Sequence, residues 1–240
     1  MDVRNLLRKI KSIYVPKIAL DLYDKVARAA SGKFYSKLAI QIAKIVKRKK
    51  VKKILDIGTG SGYLPINIAR RTEKVLVFGI DIDEKMIERA RENAAELGIP
   101  PNKVLFSVID AQKLPFKNDE FEFIVSTGVL REVENPAKMF DEIYRVLKKG
   151  EKVESEAWVY DFCRDAKDSE IKRELNEIDK MLKANKMEKS QRDWIELIRK
   201  REITIKSYSE REILSLLENS KFKNYTVERD GVWIKIVLKK

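Results

Sequence analysis

The stretch Ile54 to Ala69, ILDIGTGSGYLPINIA, sets three glycines at alternate positions directly after a short apolar run that ends in an acid. Glycine has no Cβ and reaches positive φ without penalty, so this spacing between an apolar run and an amphipathic one asks for a strand, a tight loop and a helix. In a sheet whose strands are joined by helices, such a loop lies at the C-terminal edge, where ligands bind and bare backbone lets a cofactor come close. Two common ligands do not fit. A dinucleotide loop needs G-x-G-x-x-G/A, whereas Gly58, Gly60 and Gly62 are followed by Tyr63. A triphosphate loop needs Gly-Lys-Ser/Thr, and none follows.

The rest of the body repeats the alternation. Strands are expected at 53–57, 75–80, 104–108, 121–126 and 157–162, and helices at 64–71, 84–97 and 136–147, which implies an α/β, doubly wound, mostly parallel sheet covered on both faces. A charged helical stretch at 169–201 exceeds what one crossover needs, so 165–205 reads as a helical insertion or lid. Ser209 and Glu212 have the spacing of a capping box, and YTVERDGVWIKIVL reads as two strands turning at Asp230-Gly231, with the last strand antiparallel. Ahead of the body, residues 1–50 read as a basic helical extension, with Pro16 opening PKIALDLYDKVARAA and a second helix after Ser31-Gly32. Residues 51–240 then form one domain.

Composition excludes several chemistries. The 240 residues contain no histidine and one cysteine, Cys163, so zinc clusters, imidazole bases and internal disulfides are not expected, and no metal site is expected. No apolar run approaches a bilayer span, and the N-terminus has no signal-peptide centre, so a soluble, cytoplasmic protein without membrane contact is expected. The formal net charge is +13. All of it lies in residues 1–53, which hold sixteen Lys or Arg against three acids; the remainder carries thirty-five of each sign. Lys and Glu enrichment suits a heat-adapted surface, but the imbalance reads as an electrostatic footprint for a polyanion, with RNA the expected partner of those Lys and Arg residues.

The D-x-G-x-G-x-G pattern of Asp56, Gly58, Gly60 and Gly62 resembles motif I of the class I, Rossmann-like S-adenosylmethionine (SAM)-dependent methyltransferases, in the style of methyltransferase type 11 and of archaeal or thermophile members. VFGIDIDEKMIERARENA, VIDAQKLPFKNDEFEFIVS and NPAKMFDEIYRVLKKG resemble the family's next elements in order. The resemblance implies a seven-stranded sheet and SAM as cofactor. It implies Asp81 on the ribose hydroxyls, Asp110 on the adenine amino group, the Ala111 amide at the ring and Asp56 at the ammonium end. Thr59, Ile82, Met86 and Ser126 complete the implied cofactor contacts. For each acid singly, a helix cap or a solvated strand end is the alternative reading.

The acceptor is less defined. Leu130-Arg131-Glu132 stands where many small-molecule enzymes of this family resemble Leu-His-His, and Ser126-Thr127-Gly128-Val129 does not resemble the Asn/Asp-Pro-Pro-aromatic loop of base-amine enzymes. Cys163 lacks the Pro-Cys partner of the RNA 5-methylcytosine enzymes and reads as an inert thiol. Tyr35, Glu132, Tyr160 and Asp161 are candidate bases or positioners, and Arg192 and Trp194 are candidate lid contacts. Trp158 and Trp233 read as core. An RNA base, ribosomal or transfer, is the expected acceptor, with a small molecule as the alternative.

Overall fold

A computed structural model describes residues 32–149 and 155–240. The first helix of the expected extension lies outside the described residues. Helix α1 spans Gly32–Lys49, followed by β1 (Lys53–Ile57), α2 (Tyr63–Ala69), β2 (Leu76–Asp81), α3 (Glu84–Glu96), β3 (Val104–Val108) and β4 (Phe123–Thr127). Then come α4 (Pro136–Val146), β5 (Glu156–Phe162), α5 (Asp168–Ala184), α6 (Lys189–Arg201), a π-helical turn (Glu202–Lys206), α7 (Glu210–Glu218), β6 (Asn224–Asp230) and β7 (Trp233–Lys239). The seven strands form one sheet in the order β3-β2-β1-β4-β5-β7-β6. β1 to β5 pair in parallel, and β7 runs antiparallel between β5 and β6.

Side-chain alternation sorts each strand between two layers. Ile54, Val77, Phe123 and Val125 pack with α1, α2 and α3 on one face, and Leu55, Ile57, Ile124 and Val159 pack with α4 and α7 on the other. α1 contributes Leu38, Ala39, Ile42, Ile45 and Val46 to the first layer, so this half of the basic segment is part of the core. Its last turn carries Lys47, Arg48 and Lys49, where positive charge favours the carbonyl end of the helix dipole.

The insertion is a hairpin of two helices. Ile178, Leu182 and Ile195 join α5 to α6, while Ile171, Leu175 and Ile203 seat it on Phe162 and Val232 at the sheet edge. The Ser209–Glu212 capping box opens α7. The final hairpin corrects the expected turn: Asp230 pairs with Trp233, so the two loop residues are Gly231 and Val232, not Asp230 and Gly231. Gly231 takes φ 59 at the first loop position, as a type II′ turn requires. Val232 is buried among Phe162, Ile171 and Leu175, and that burial sets the register.

Candidate functional site

Register aligns the strand ends that the glycine loop crowns. Ile57 is opposite Ser126 across β1 and β4, and Asp81 is opposite Val108 across β2 and β3. β1 lies between β2 and β4, the point at which a doubly wound sheet reverses its order and opens a crevice. The loop after β1 is held from beneath: the amides of Gly58 and Thr59 both donate to the Ile80 carbonyl at 2.8 Å, and Gly60 donates to Asp81 Oδ2 at 2.9 Å. Asn93 of α3 donates to the Ser61 carbonyl at 2.9 Å.

The glycines are where close packing needs them. A Cβ on Gly58, whose φ is +73, would lie 2.0 Å from Val129 Cγ2. One on Gly62, whose φ is +81, would lie 2.9 Å from both Ala90 Cβ and Phe106 Cζ. Gly58→Ala should therefore cost about 1–3 kcal/mol in urea unfolding, from left-handed strain plus overpacking. Adding Val129→Ala should return the overpacking part but not the strain.

Asp81 ends β2 and orders the cofactor side. Its Oδ1 accepts from the Asp83 amide at 3.0 Å, while the Ile109 amide donates to the Asp81 carbonyl at 2.9 Å and brings the Asp110 segment alongside. Burial raises the pKa of the Asp81 carboxyl, and the Asp83 and Gly60 amides oppose that rise. Asp110 accepts from the Gln112 amide at 2.9 Å and precedes the buried Ala111. Ile82 is exposed and Met86 half-buried, both at the entry to α3. The same turn caps that helix, since Asp83 accepts from the Lys85 amide.

Asp56 is the outlier. It is buried on the α1–α3 side of β1, and Oδ1 has no hydrogen-bond partner. Burial pushes its carboxyl up to about 7; the Thr59 hydroxyl beside it opposes the rise, and the charge of Asp81 adds to it. The nearby hydroxyl satisfies neither side, because Thr59 Oγ1 is likewise buried without a partner, as is Ser126 Oγ. Buried polar atoms are nearly always paired, so three orphans around one glycine loop mark a place built for a polar ligand. An ammonium, a carboxylate and ribose hydroxyls supply the matching donors and acceptors, and the residues present fit SAM.

The acceptor side is built from parts far apart in sequence. Tyr35 of α1 reaches the crevice: burial raises its phenol pKa, a hydrogen bond with the Thr127 side chain opposes this, and the charges of Asp56, Arg199 and Arg131 are all felt there. Phe34 stacks on Trp233 at 5.1 Å between centroids and meets Tyr160 edge-on at 5.7 Å. Arg131 is fixed by Asp161, which pairs with its Nη1 and also accepts from the backbone amides of Arg131 at 3.1 Å and Phe162 at 2.7 Å. Burial alone would lower the guanidinium pKa, but Asp161, Glu202 and Glu132 outweigh it and hold it above the ordinary range.

Of the candidate bases, the structure places Tyr35 at the crevice and removes Asp161, whose oxygens are engaged. Burial raises the Tyr160 phenol pKa, and Glu132 pairs with Lys206 at 2.9 Å. Cys163 is buried, and burial pushes its thiol up. Arg192 pairs with Asp179 within the insertion hairpin, and the Trp194 side chain lies outside the described residues. Thr127 and Val129 lie in the segment after β4 that the sequence singled out only as a stretch, and Arg199 and Glu202 were not marked, since nothing local distinguishes them.

The charged run that ends the basic segment lies elsewhere. Lys52 and Lys53 stand at the start of β1, the opposite edge of the sheet from the glycine loop at its end, a separation of about 16 Å along five strand residues. Their neighbours there have mixed sign: Lys53 pairs with Glu120 at 3.0 Å, Lys148 with Glu122 at 3.0 Å, and Lys49 with Glu156 at 3.2 Å.

This fold and crevice define a class I SAM-dependent methyltransferase. Residues 48–226 match the model of the family described as a methyltransferase domain, and the chain belongs to that family. It is 33% identical over 101 residues to a phosphatidylethanolamine N-methyltransferase of Cereibacter sphaeroides, covering 42% of this chain and 48% of the relative. It is 35% identical over 97 residues to the ubiquinone/menaquinone biosynthesis C-methyltransferase UbiE of Desulfotalea psychrophila, covering 40% and 37%. The chain thus spans about half the length, or less, of these curated relatives. Among solved structures, a SAM-dependent methyltransferase of Methanococcus maripaludis superposes with TM-score 0.68 at 21% identity, covering 92% of each chain. The plantazolicin methyltransferase BpumL, in complex with a monoazolic desmethylPZN analog and SAH, superposes with TM-score 0.68 at 16% identity, covering 93% of this chain and 90% of that one. SAM is the methyl donor of the class, and no helix among the described residues is long and apolar enough to cross a membrane.

Proposed function

We propose that the protein methylates a small organic acceptor, in place of the RNA base expected from its charge. The observation that carries this reading is the position of α1: the described part of the basic segment brings Tyr35 to the crevice, while the charged run from Lys47 to Lys53 lies towards the far edge of the sheet, where Lys49 and Lys53 pair with acids. Polyanion held at that edge would be about a strand length from the reacting centre. The two curated relatives described above are named for phosphatidylethanolamine and for ubiquinone/menaquinone chemistry, which favours the same reading.

When bound, SAM supplies a methyl group already activated on a sulfonium. The chain's own work is then placement and exclusion of water. Asp56 would hold the ammonium, Asp81 the two ribose hydroxyls, and Asp110 with the Ala111 amide the adenine edge. Thr59 and Ser126 would lend their unpaired hydroxyls, and Ile82 and Met86 would flank the ring. Bare backbone at Gly58 and Gly60 would let the methionyl part lie against the loop, with Val129 and Tyr35 closing the acceptor side. Of the candidate bases, Tyr35 and Tyr160 are phenols that burial keeps protonated, so an acceptor that loses its proton easily suits the site.

The test is where the methyl goes. Protein incubated with methyl-tritiated SAM and a cell extract should label the low-molecular-weight or lipid-extractable fraction, insensitive to ribonuclease. Label confined to ribonuclease-sensitive RNA would overturn the reading and restore the nucleic-acid one.

A further inference from the structure

Beside the crevice lies a pair of cations whose donors are poorly used. Arg131 and Arg199 each place their guanidinium carbon 4.9 Å from the centroid of the Phe162 ring, and both side chains are largely buried. Between them lies the carboxylate of Glu202, while Glu174, hydrogen-bonded to the Trp233 side chain, also interacts with the charge of Arg199. Glu202 Oε1 is 3.6 Å from Arg131 Nη2 and its Oε2 is 3.5 Å from Arg199 Nη1. Charge-assisted hydrogen bonds of this kind close to about 2.7–2.9 Å, so Glu202 straddles the two cations without engaging either well. Arg131 Nε is buried with no hydrogen-bond partner at all. By contrast, the same guanidinium is fastened tightly to Asp161 on its other side.

The pair also faces the reacting centre. Gly128 follows β4, and a Cβ there would lie 3.1 Å from Arg131 Nη1, so the missing side chain lets the guanidinium lie against the backbone beside Thr127. The phenol of Tyr35, hydrogen-bonded to Thr127, feels the charges of Arg199 and Arg131 together. Both cations therefore belong to the acceptor half of the crevice, rimmed by Phe34, Phe162 and Trp233.

Resting on the small-molecule reading above, we propose that the acceptor bears a carboxylate, that Arg131 and Arg199 beside Phe162 bind it, and that Glu202 is an internal surrogate which the acceptor displaces. The exchange leaves the buried charge unchanged. Arg131 keeps Asp161, and one carboxylate replaces another at Arg199, so no unpaired ion is created. Glu202 is free to withdraw because it opens the π-helical turn Glu202–Lys206, where the regular helical ladder is already interrupted. A carboxylate is favoured over a phosphate because the group now seated there is a carboxylate with one oxygen directed at each cation.

The full chain, saturated with SAH, is titrated with benzoate, with its neutral isostere benzamide and with inorganic phosphate, followed by tryptophan fluorescence because the Trp233 ring is 4.3 Å from Phe162. Benzoate should bind at least tenfold more tightly than benzamide. Arg199→Gln should erase that preference, and Glu202→Gln, which removes the competitor, should raise benzoate affinity several-fold with SAH affinity unchanged. Equal binding of benzoate and benzamide, binding of phosphate in place of benzoate, or a Glu202→Gln variant with unaltered benzoate affinity would each overturn the proposal. The last result would make Glu202 a mere latch between insertion and loop. The two readings fail separately: tritium found only in RNA refutes the small-molecule acceptor whatever benzoate does, and absent benzoate preference refutes the cation pair even when small molecules are labelled.

Discussion

Asp161→Ala should remove about 3–5 kcal/mol of folding stability, measured by urea unfolding, because it strands a buried guanidinium. The Arg131 side chain is only 9% exposed, and its remaining acids are held loosely: Glu202 at 3.6 Å and Glu132 at 3.9 Å. Asp161 also accepts from the backbone amides of Arg131 and Phe162, which the substitution leaves without that acceptor. A paired replacement separates the two contributions. Arg131→Met with Asp161→Leu deletes both charges, and apolar replacement of a buried pair is often neutral. Here it should still be less stable than the parent, since the two amides lose their acceptor at about 1–3 kcal/mol each. A double variant as unstable as Asp161→Ala alone would show that the charge itself matters little.

Asp56 makes the second large prediction, one of pH. Its carboxyl titrates near 7 in the folded protein without cofactor, against an ordinary value of 3.8. The folded state then holds a proton that the unfolded state has released, so this residue's contribution to stability is fully present below about pH 4 and is lost as pH rises through 7. The swing amounts to as much as ~4 kcal/mol. Cofactor affinity runs the other way. If Asp56 holds the SAM ammonium as proposed, binding favours its ionised form, so affinity should approach a tenfold fall per pH unit below 7, about 50-fold from pH 7 to pH 5, with proton release visible by calorimetry in two buffers. Asp56→Asn should flatten both profiles, stabilise the cofactor-free protein at pH 8 and weaken SAM at every pH. An affinity independent of pH in the parent would place the ammonium elsewhere.

The parts of the site that were legible are those written in a few consecutive residues. The spacing Asp56, Gly58, Gly60, Gly62 is a backbone requirement, and each of those glycines takes positive φ in the structure. Asp81 and Asp110 follow from strands that end where their apolar runs end. What escaped was long-range. Arg131 and Asp161 are paired across two strand ends, and Arg199 and Glu202 arrive on an insertion whose composition reads only as charged helix. Burial also overrode local turn chemistry: Asp-Gly suggested the loop pair of the last hairpin, but Val232 had more to gain in the core of the insertion. The basic segment shows a related limit of local reading. Net charge is a sum, whereas the described part of that segment is a core helix with cations in its last turn, paired lysines at the far edge and Tyr35 at the crevice.

The stacking of Phe34 on Trp233 joins the first described helix to the last strand, and Tyr160 lies edge-on beside them. During synthesis the glycine loop, Asp81 and Asp110 leave the ribosome early, with β1, β2 and β3. The acceptor wall waits for β7, which must slot between β5 and β6 to bring Trp233 to Phe34. The residues proposed to hold SAM are thus all synthesised well before the wall proposed to hold an acceptor is complete. On the proposed reading, a chain ending before residue 233 would keep the glycine loop yet lack the aromatic wall that receives an acceptor.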